Sequence, residues 1–287
     1  MESKLETSKK LFEFIVDCLE CPICKTSINK DGNSLKCENS HTFNLSKKGT
    51  VVLQSKAKIY DSDLYTKELF INRRFVIGCD LYKKIYEQII DEIKELVKPN
   101  SIILDLGSGE GSHLNKLKTK LGLNTIGVAV DISKPAIELA SDYLSNGIIP
   151  IIADTNNLPF KKNSIDIVLD FLSPLMVKET MRVVKPGGIV VKVIPNNGYL
   201  KEIRELINEK DYEKTSEILN NIKTKVDVEK VFAIQDVISI DSEIKKALLK
   251  MTPLTNKKNL EDINIADLNS ITIDLSIVII RKGKNEI

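Results

Sequence analysis

The chain has little of what marks a disulfide-rich, membrane-spanning or strongly basic protein. Its 287 residues include 5 cysteines and 2 histidines, too few for a disulfide scaffold. No apolar run is long enough to span a bilayer, and the charged N-terminus does not lead into a signal-peptide core. Lys and Arg number 42 against 40 Asp and Glu, so net charge alone does not indicate a nucleic-acid partner. These features predict a cytoplasmic protein with one large domain and a small module.

A glycine-rich turn after an apolar run is the most informative motif. Residues 102–111 read Ile-Ile-Leu-Asp-Leu-Gly-Ser-Gly-Glu-Gly, and a helical stretch follows at 112–120. Gly107, Gly109 and Gly111 let the backbone bend sharply and approach a ligand closely. The helix N-terminus behind them favours negative or polar ligand groups. With Asp105 ahead of the glycines, the pattern resembles motif I of class I S-adenosylmethionine (SAM) methyltransferases rather than the G-x-G-x-x-G of dinucleotide-binding proteins.

Three further apolar runs end in an acidic residue: Asp131, Asp154 and Asp170. Helical stretches at 112–120, 134–144 and 175–184 alternate with the runs, which predicts an α/β fold with a doubly wound parallel sheet. Ligands of such sheets bind at the carboxyl ends of the strands, and an acid about 20–25 residues past the glycine turn can accept ribose hydroxyls. Any one of these acids could instead cap a helix or face solvent.

A second set of residues has the spacing of a structural zinc site. Cys21, Cys24, Cys37 and His41 form the pattern C-x2-C-x12-C-x3-H, a tetrahedral Cys3His ligand set with no position left open. Between its halves, residues 31–33 (Asp-Gly-Asn) predict a hairpin turn. A redox-active C-x-x-C pair is the alternative, although no thioredoxin-like βαβ unit surrounds it. The two remaining cysteines are expected to be buried apolar residues, although one of them, Cys18, could compete for the metal.

The chain divides into four predicted segments. They are an N-terminal extension (1–19) with an amphipathic turn or helix at 11–16, a zinc-binding module (20–58), a helical linker (59–97) and a methyltransferase domain (98–287). Beyond residue 194, helices at 198–222 and 242–250 and strands at 231–240 and 271–280 complete a predicted seven-stranded, Rossmann-like sheet. Lysines 47, 48, 56 and 58 beside the zinc module suit a phosphate-contacting surface, and a solvated lysine face is equally compatible with them.

Four blocks together resemble the bacterial 23S ribosomal RNA guanine-N1 methyltransferases, from about residue 20 to residue 282. They are the Cys3His module with residues 41–49 (His-Thr-Phe-Asn-Leu-Ser-Lys-Lys-Gly), residues 61–63 with 72–75 (Asn-Arg-Arg-Phe), the run from the glycine turn to 186–188 (Pro-Gly-Gly), and 250–254 (Lys-Met-Thr-Pro-Leu). The resemblance implies SAM-dependent methylation of guanine N1 in a 23S rRNA hairpin loop, a structural Zn²⁺ and a homodimer.

The resemblance also implies roles for individual residues. Asp105 and the three glycines form the SAM cradle, with Glu110 near the methionine end; Asp131 holds the ribose; Asp154 and Asn156 lie beside the adenine. Further SAM contacts are expected from Tyr82, His113, Leu114, Leu158, which packs on the adenine ring, and Tyr199, which stands where the family has a histidine. Ser112 and His113 replace aromatic residues of the family, and His113 could equally be an ordinary residue of a first helical turn.

The loop after the fourth strand is where class I enzymes usually present the target group. Asp170 is the local carboxylate and is the candidate general base, although the family does not keep an acid there; a strand-end acid in solvent is the alternative. Phe171 could stack on a flipped base or be a core residue. Two other functions stay open: methylation of a small molecule, or RNA binding without catalysis.

Overall fold

The computed structural model describes residues 2–55, 65–209, 214–252, 255 and 263–283. Several residues of the sequence predictions lie outside these ranges: Lys56 and Lys58, the segment 61–63, and Pro253 and Leu254.

The N-terminal extension is a helix that packs into the fold. Helix α1 spans Lys4–Ile15, and Ser3 caps it by accepting a hydrogen bond from the backbone N–H of Glu6. Its buried face carries Phe12 and Ile15, both with no exposed surface. A 3-10 turn, Val16–Cys18, then leads to the metal ligands. The predicted amphipathic helix is therefore present and is longer than the sequence indicated.

The zinc-binding module is a small antiparallel sheet. Strands β1 (Ile28–Asp31), β2 (Ser34–Cys37) and β3 (Thr42–Asn44) pair in sequence order. The predicted hairpin turn joins β1 to β2, and Gly32 adopts a φ of +59° there, as two-residue hairpin turns require. A two-residue strand, β4 (Val51–Val52), leaves this module and joins the main sheet.

Two helices follow. Helix α2 spans Lys67–Gly78 and α3 spans Lys83–Ile93. The buried positions of α3, which include Ile85, Ile89 and Ile93, recur at helical spacing.

The main sheet has the predicted seven strands and one more. These are β5 (Ile102–Leu106), β6 (Ile126–Asp131), β7 (Ile148–Ile152), β8 (Ile165–Phe171), β9 (Val184–Pro195), β10 (Val228–Ser239) and β11 (Ser270–Arg281), with β4 at one edge. The order is β10-β11-β9-β8-β5-β6-β7-β4, parallel except for the β9-β11 and β11-β10 pairs. The switch in strand order falls between β5 and β8, where open α/β sheets form their ligand crevice.

The helices of the sheet differ from the sequence prediction at one place, the end of the predicted helix 134–144. They are α4 (Ser112–Leu121), α5 (Lys134–Ala140), α6 (Val177–Val183), α7 (Lys201–Leu206), α8 (Thr215–Lys223) and α9 (Ser242–Met251). The predicted helix 134–144 tightens to a 3-10 helix at Ser141–Asn146, where the Ser141 hydroxyl donates to the Glu138 carbonyl. The predicted region 198–222 is two helices because Asn208 turns into the left-handed conformation after α7.

Each face of the sheet is covered by its own core. One face packs against α3, α4 and α9. The other packs against α1 and the zinc-binding module, so that Phe12 and Leu35 share a core with Ile102 and Val128 of the sheet. The module is thus attached to the methyltransferase sheet by buried apolar contacts. In the described ranges, no helix has both the length and the apolar character needed to cross a bilayer.

The two phenylalanines of α1 provide a matched test of this attachment. Phe12 is fully buried and Phe14 is 58% exposed. We expect Phe12→Ala to lower the free energy of unfolding by about 3–5 kcal/mol, because it removes a large apolar side chain and leaves a cavity. Phe14→Ala should change it by less than about 0.5 kcal/mol. Urea denaturation measures both, and equal effects would contradict the packing described for α1.

Candidate active site and metal centre

The glycine turn after β5 has the geometry that only glycine adopts easily. Gly107, Gly109 and Gly111 all have positive φ, at +64°, +57° and +80°. A Cβ on Gly107 would lie 2.6 Å from the Cβ of Ser173, so this turn and the loop after β8 are in direct contact. The turn therefore requires glycine both for its backbone and for its packing.

Asp131, at the end of β6, fixes the turn to the neighbouring strand. One carboxylate oxygen accepts the Gly109 N–H at 2.9 Å, and the other accepts the Ser133 N–H at 2.8 Å. Each oxygen keeps a further lone pair for ligand hydroxyls. Asp154, after β7, accepts hydrogen bonds from the backbone and side-chain amides of Asn156 at 2.8 and 2.9 Å. The acids predicted for ribose and adenine thus lie at the carboxyl ends of adjacent strands.

Asp105 lies in β5 below the turn and has two orphaned oxygens. It is 1% exposed, and among the described residues neither carboxylate oxygen has a hydrogen-bond partner. Burial, with a further contribution from Asp170, raises the pKa of Asp105 well above its ordinary value. Glu110 is equally buried, and burial raises the pKa of its carboxyl as well. Buried carboxyls of this kind suit a ligand that brings a cationic group, as the ammonium end of SAM does.

The surroundings of Asp170 argue against a role as general base. Asp170 has no exposed surface, and its carboxylate is 2.7 Å from the Lys192 ammonium, which is itself 3% exposed. The two residues are register partners on β8 and β9. The Ser173 hydroxyl lies 2.9 Å from the same Asp170 oxygen. Asp170 is therefore half of a buried ion pair inside the sheet layer, and it is not the free carboxylate that a general base provides.

Two predicted SAM contacts are core residues instead. Leu158 has no exposed surface and packs with Phe160, while its backbone N–H donates to Glu179. Leu114 is also fully buried, and its side chain points towards Gly127 of β6. Neither side chain has exposed surface in this structure. The reason in both cases is that an apolar side chain next to the sheet gains more by packing on it.

An aromatic cluster lies beside the turn. The rings of His113 and Phe171 stack at 3.7 Å, and Tyr82 meets both edge-on. The Tyr86 hydroxyl pairs with His113 Nδ1 at 2.7 Å, and the hydroxyls of Tyr82 and Tyr199 are 2.9 Å apart. Burial lowers the pKa of His113 to about 3, so its imidazole is neutral at physiological pH.

The aromatic cluster distinguishes between the two roles that the sequence left open for Phe171. Phe171 is 6% exposed and belongs to the core, with one ring face covered by His113. The core interpretation of Phe171 is therefore confirmed, and stacking on a flipped base is not what its position provides.

The sequence prediction missed Arg73 as a site residue. Its guanidinium reaches over the turn, with Nη1 3.6 Å from the position that a Cβ on Gly109 would take. It lies 5.4 Å from the Phe70 ring centroid and donates to the Met251 carbonyl at 3.3 Å. Its charge partly offsets the raised pKa values of Glu110 and Asp131. Arg73 was visible only as part of the Asn-Arg-Arg-Phe block, because a helix some thirty-five residues before the turn gives no sign of lying above it.

The four predicted metal ligands converge. The ligand atoms of Cys21, Cys24, Cys37 and His41 all lie within 4.8 Å of one another. The Cys24 and Cys37 sulfurs are 3.6 Å apart, and His41 Nδ1 is 3.6 and 3.4 Å from the sulfurs of Cys21 and Cys37. A tetrahedral zinc with Zn–S bonds near 2.3 Å places its sulfurs roughly 3.8 Å apart, so the set fits a structural Zn²⁺.

The protonation of the thiols depends on their surroundings. A hydrogen bond with Thr26, 3.2 Å from the sulfur, lowers the pKa of Cys24 to about 5, whereas burial raises the pKa of Cys21 to about 11. Metal binding must therefore displace a proton from Cys21. Cys18 lies outside the cluster and Cys79 donates to the Phe75 carbonyl; both are half-buried rather than buried as expected.

The two described lysines beside the zinc-binding module, Lys47 and Lys48, differ in their contacts. Lys47 is exposed, whereas Lys48, also exposed, pairs with Glu138 at 2.6 Å. The remaining two lysines of that prediction lie outside the described ranges.

The buried ion pair predicts a non-additive response to mutation. Lys192→Met should cost about 3–5 kcal/mol of unfolding free energy, because it leaves the Asp170 carboxylate buried without its cation. The double variant Asp170→Asn/Lys192→Met removes both charges and should recover most of that loss. Urea denaturation of the three proteins measures the effect, and a double variant no more stable than Lys192→Met would contradict it.

The cysteines provide a test of the metal centre with an internal control. We expect the protein to carry about one zinc per chain. Cys37→Ser should lose the metal and unfold at lower temperature, because ligand binding and folding of the module are coupled. Cys18→Ser should keep the metal. Elemental analysis and thermal unfolding measure both, and loss of zinc from Cys18→Ser would instead place that thiol in the ligand set.

Two family models match this chain, one in the zinc-binding module and one in the methyltransferase domain. The family model described as "Methyltransferase domain" matches residues 103–188, and the model described as "RlmA, N-terminal", a zinc ribbon, matches residues 19–55. Among solved structures, the phosphoethanolamine N-methyltransferase 2 of Haemonchus contortus is 17% identical and covers 78% of this chain and 59% of its own, with a TM-score of 0.44.

Two curated relatives carry the same activity in their names. YxjB of Bacillus subtilis (strain 168), named for 23S rRNA (guanine-N(1)-)-methylation, is 32% identical over 276 residues, which is 90% of this chain and 95% of YxjB. The 23S rRNA (guanine(748)-N(1))-methyltransferase of Streptomyces fradiae is 24% identical over 66% of this chain and 67% of its own length. With the glycine turn and the Cys3His cluster both in place, the chain belongs to the family of 23S rRNA (guanine-N1)-methyltransferases, SAM-dependent enzymes that carry a zinc ribbon.

Proposed function

We propose that this protein transfers a methyl group from SAM to N1 of a guanine in a 23S rRNA hairpin loop. The observation that carries the proposal is that one relative matches the zinc ribbon and the methyltransferase sheet together, over 90% of the chain. A small-molecule methyltransferase needs only the sheet, whereas the ribbon here shares a buried core with it.

Charge complementarity supports an assignment of the SAM-binding residues. The orphaned carboxyl of Asp105 and the buried Glu110 suit the ammonium of the methionine end, and Arg73 above Gly109 suits its carboxylate. Asp131 suits the ribose hydroxyls, and Asp154 with Asn156 suits the adenine. The aromatic cluster suits the surroundings of the methionine end of SAM, through Tyr82, His113 and Tyr199.

The chemistry that remains is chiefly alignment. SAM supplies an activated methyl group, and orientation of methyl and acceptor can contribute up to about 7–11 kcal/mol in ideal cases. Guanine N1 must also lose its proton. Asp170 is buried and paired and does not accept it, and the neutral His113, with a pKa of about 3, is a poor base.

The RNA-binding surface is proposed to include the ribbon. Lys36 and Lys47 are exposed on it and suit phosphate contacts. Hairpin loops are the RNA elements whose bases a protein can reach, which supports a loop as the target. A homodimer that forms the RNA cleft, a cytoplasmic location where ribosomes are made, and the four-segment division of the chain are parts of the same proposal.

Methyl transfer tests the proposal directly. Incubated with labelled SAM and unmodified 23S rRNA or its hairpin fragments, the protein should produce 1-methylguanosine. Arg73→Met should weaken SAM binding about 10- to 100-fold, the equivalent of losing a charge-assisted hydrogen bond of about 1.5–3 kcal/mol. Arg281→Met is the matched control, because Arg281 pairs with Glu229 and lies opposite Ile189, at the edge of the sheet away from the glycine turn. SAM binding without label in any RNA would overturn the rRNA assignment and favour a small-molecule acceptor or a non-catalytic role.

A further inference from the structure

The loop proposed to hold the adenine is also the loop on which the metal-binding segment rests. We define the adenine loop as residues 154–160, which follow β7 and contain Asp154 and Asn156. The zinc knuckle is defined as residues 21–25, which contain the first two metal ligands, Cys21 and Cys24. These two segments are about 130 residues apart in sequence and are joined by hydrogen bonds.

Asn157 connects them through both ends of its side-chain amide. Its Oδ1 accepts a hydrogen bond from Lys25 Nζ at 2.5 Å, and its Nδ2 donates to the Pro22 carbonyl at 3.1 Å. Pro22 lies between the two cysteine ligands, and Lys25 follows Cys24 directly. The backbone of Lys25 closes the knuckle by donating to the Cys21 carbonyl at 2.9 Å. One side chain of the adenine loop therefore holds the knuckle at two points around the metal.

Backbone contacts continue the connection on one flank of the loop. Leu19 forms a β-bridge with Phe160, and the Glu20 N–H donates to the Pro159 carbonyl at 3.1 Å. The Lys161 N–H donates back to the Cys18 carbonyl at 2.8 Å. The chain that enters the zinc knuckle is thus paired like a short strand with the chain that leaves the adenine loop.

Arg182 of α6 contacts both the adenine loop and the chain that leads into the zinc knuckle. Its guanidinium donates to the carbonyls of Phe160 and Leu158 at 2.7 and 3.1 Å. It also pairs with Glu20 at 3.3 Å and with Glu179 at 2.7 Å. Because this arginine and both glutamates are largely buried, the pairs are less screened by solvent than surface pairs.

The ribbon also reaches the other flank of the loop. Strand β4, the continuation of the ribbon, pairs in parallel with β7, and the Leu53 N–H donates to the Ile152 carbonyl at 2.9 Å. Ile152 ends the strand from which the adenine loop begins two residues later. The loop is therefore bracketed by ribbon residues before and after it.

We propose that the metal-bound zinc knuckle positions the adenine loop, so that zinc occupancy raises the affinity for SAM, and that Asn157 is the positioning residue that links the two sites. The inference rests on the proposed assignment of Asp154 and Asn156 to the adenine. Metal binding fixes the backbone around Cys21 and Cys24, and that backbone carries the atoms that Asn157 holds. Because linkage is reciprocal, bound SAM must in turn raise the affinity for zinc by the same factor.

The experiment uses the full-length, zinc-loaded protein and S-adenosylhomocysteine as an unreactive probe. Calorimetry gives the dissociation constant of the probe, and a competing chelator gives zinc retention with and without it. Asn157→Ala should weaken binding of the probe about tenfold, within the 5- to 150-fold range typical of coupled sites, and should abolish the protection of zinc by the probe. Asn157→Asp keeps the acceptor for Lys25 and should recover part of both effects.

A matched control separates positioning from general damage to the ribbon. Asn29 is an exposed asparagine on β1 of the same module, and Asn29→Ala should bind zinc and probe like the wild type. Wild-type binding and zinc protection in Asn157→Ala would overturn this inference alone. Failure of the wild-type protein to bind the probe would overturn the proposed function and this inference with it.

Discussion

Both faces of a parallel sheet have to be covered, and that requirement organises this molecule. The strands β5 to β8 consist mostly of apolar residues and are buried along almost their whole length. On one side the usual helices supply the cover. On the other, α1 and the zinc ribbon take part, and both contribute fully buried side chains. The ribbon is therefore a structural layer of the sheet as well as a module with its own metal.

The same packing leaves the carboxyl edge of the sheet as the place where polar groups accumulate. Strands β5, β6 and β7 end one after another beside the glycine turn, and each brings an acid to that edge or just below it. Burying an ionised carboxyl group costs free energy unless a cation or hydrogen-bond donors compensate its charge. Asp131 finds backbone N–H groups and Asp170 finds Lys192, whereas Asp105 has no partner among the described residues. A buried carboxyl group without a hydrogen-bond partner, such as that of Asp105, suits a ligand that brings a donor or a positive charge.

Sequence patterns predicted what repeats along the chain and what has a fixed spacing. Apolar runs predicted the strands, and the C-x2-C-x12-C-x3-H spacing predicted the four residues that form the metal cluster. Contacts between distant segments were beyond such patterns. Nothing in the local sequence of Asp170 shows that Lys192 lies opposite it on the next strand, so a strand-end acid was taken for a base. Leu158 and Leu114 were assigned to the cleft because their position near a motif is visible in sequence, whereas the direction of a side chain is not. Arg73 was missed for the corresponding reason, since only the fold brings α2 over the turn.

The charges around the turn match the charges of the proposed cofactor. SAM has two cationic centres, an ammonium and a sulfonium, and one carboxylate. The site has two buried carboxyls, Asp105 and Glu110, a half-buried one, Asp131, and the guanidinium of Arg73 near the turn. Burial raises the pKa of each of these carboxyls, so protons compete with any cation for them. Under the proposed assignment, a doubly cationic ligand would replace those protons, and its carboxylate would pair with Arg73. A dinucleotide, which brings phosphates, would put negative charge against the same buried acids, so the charges of this site favour SAM over a dinucleotide.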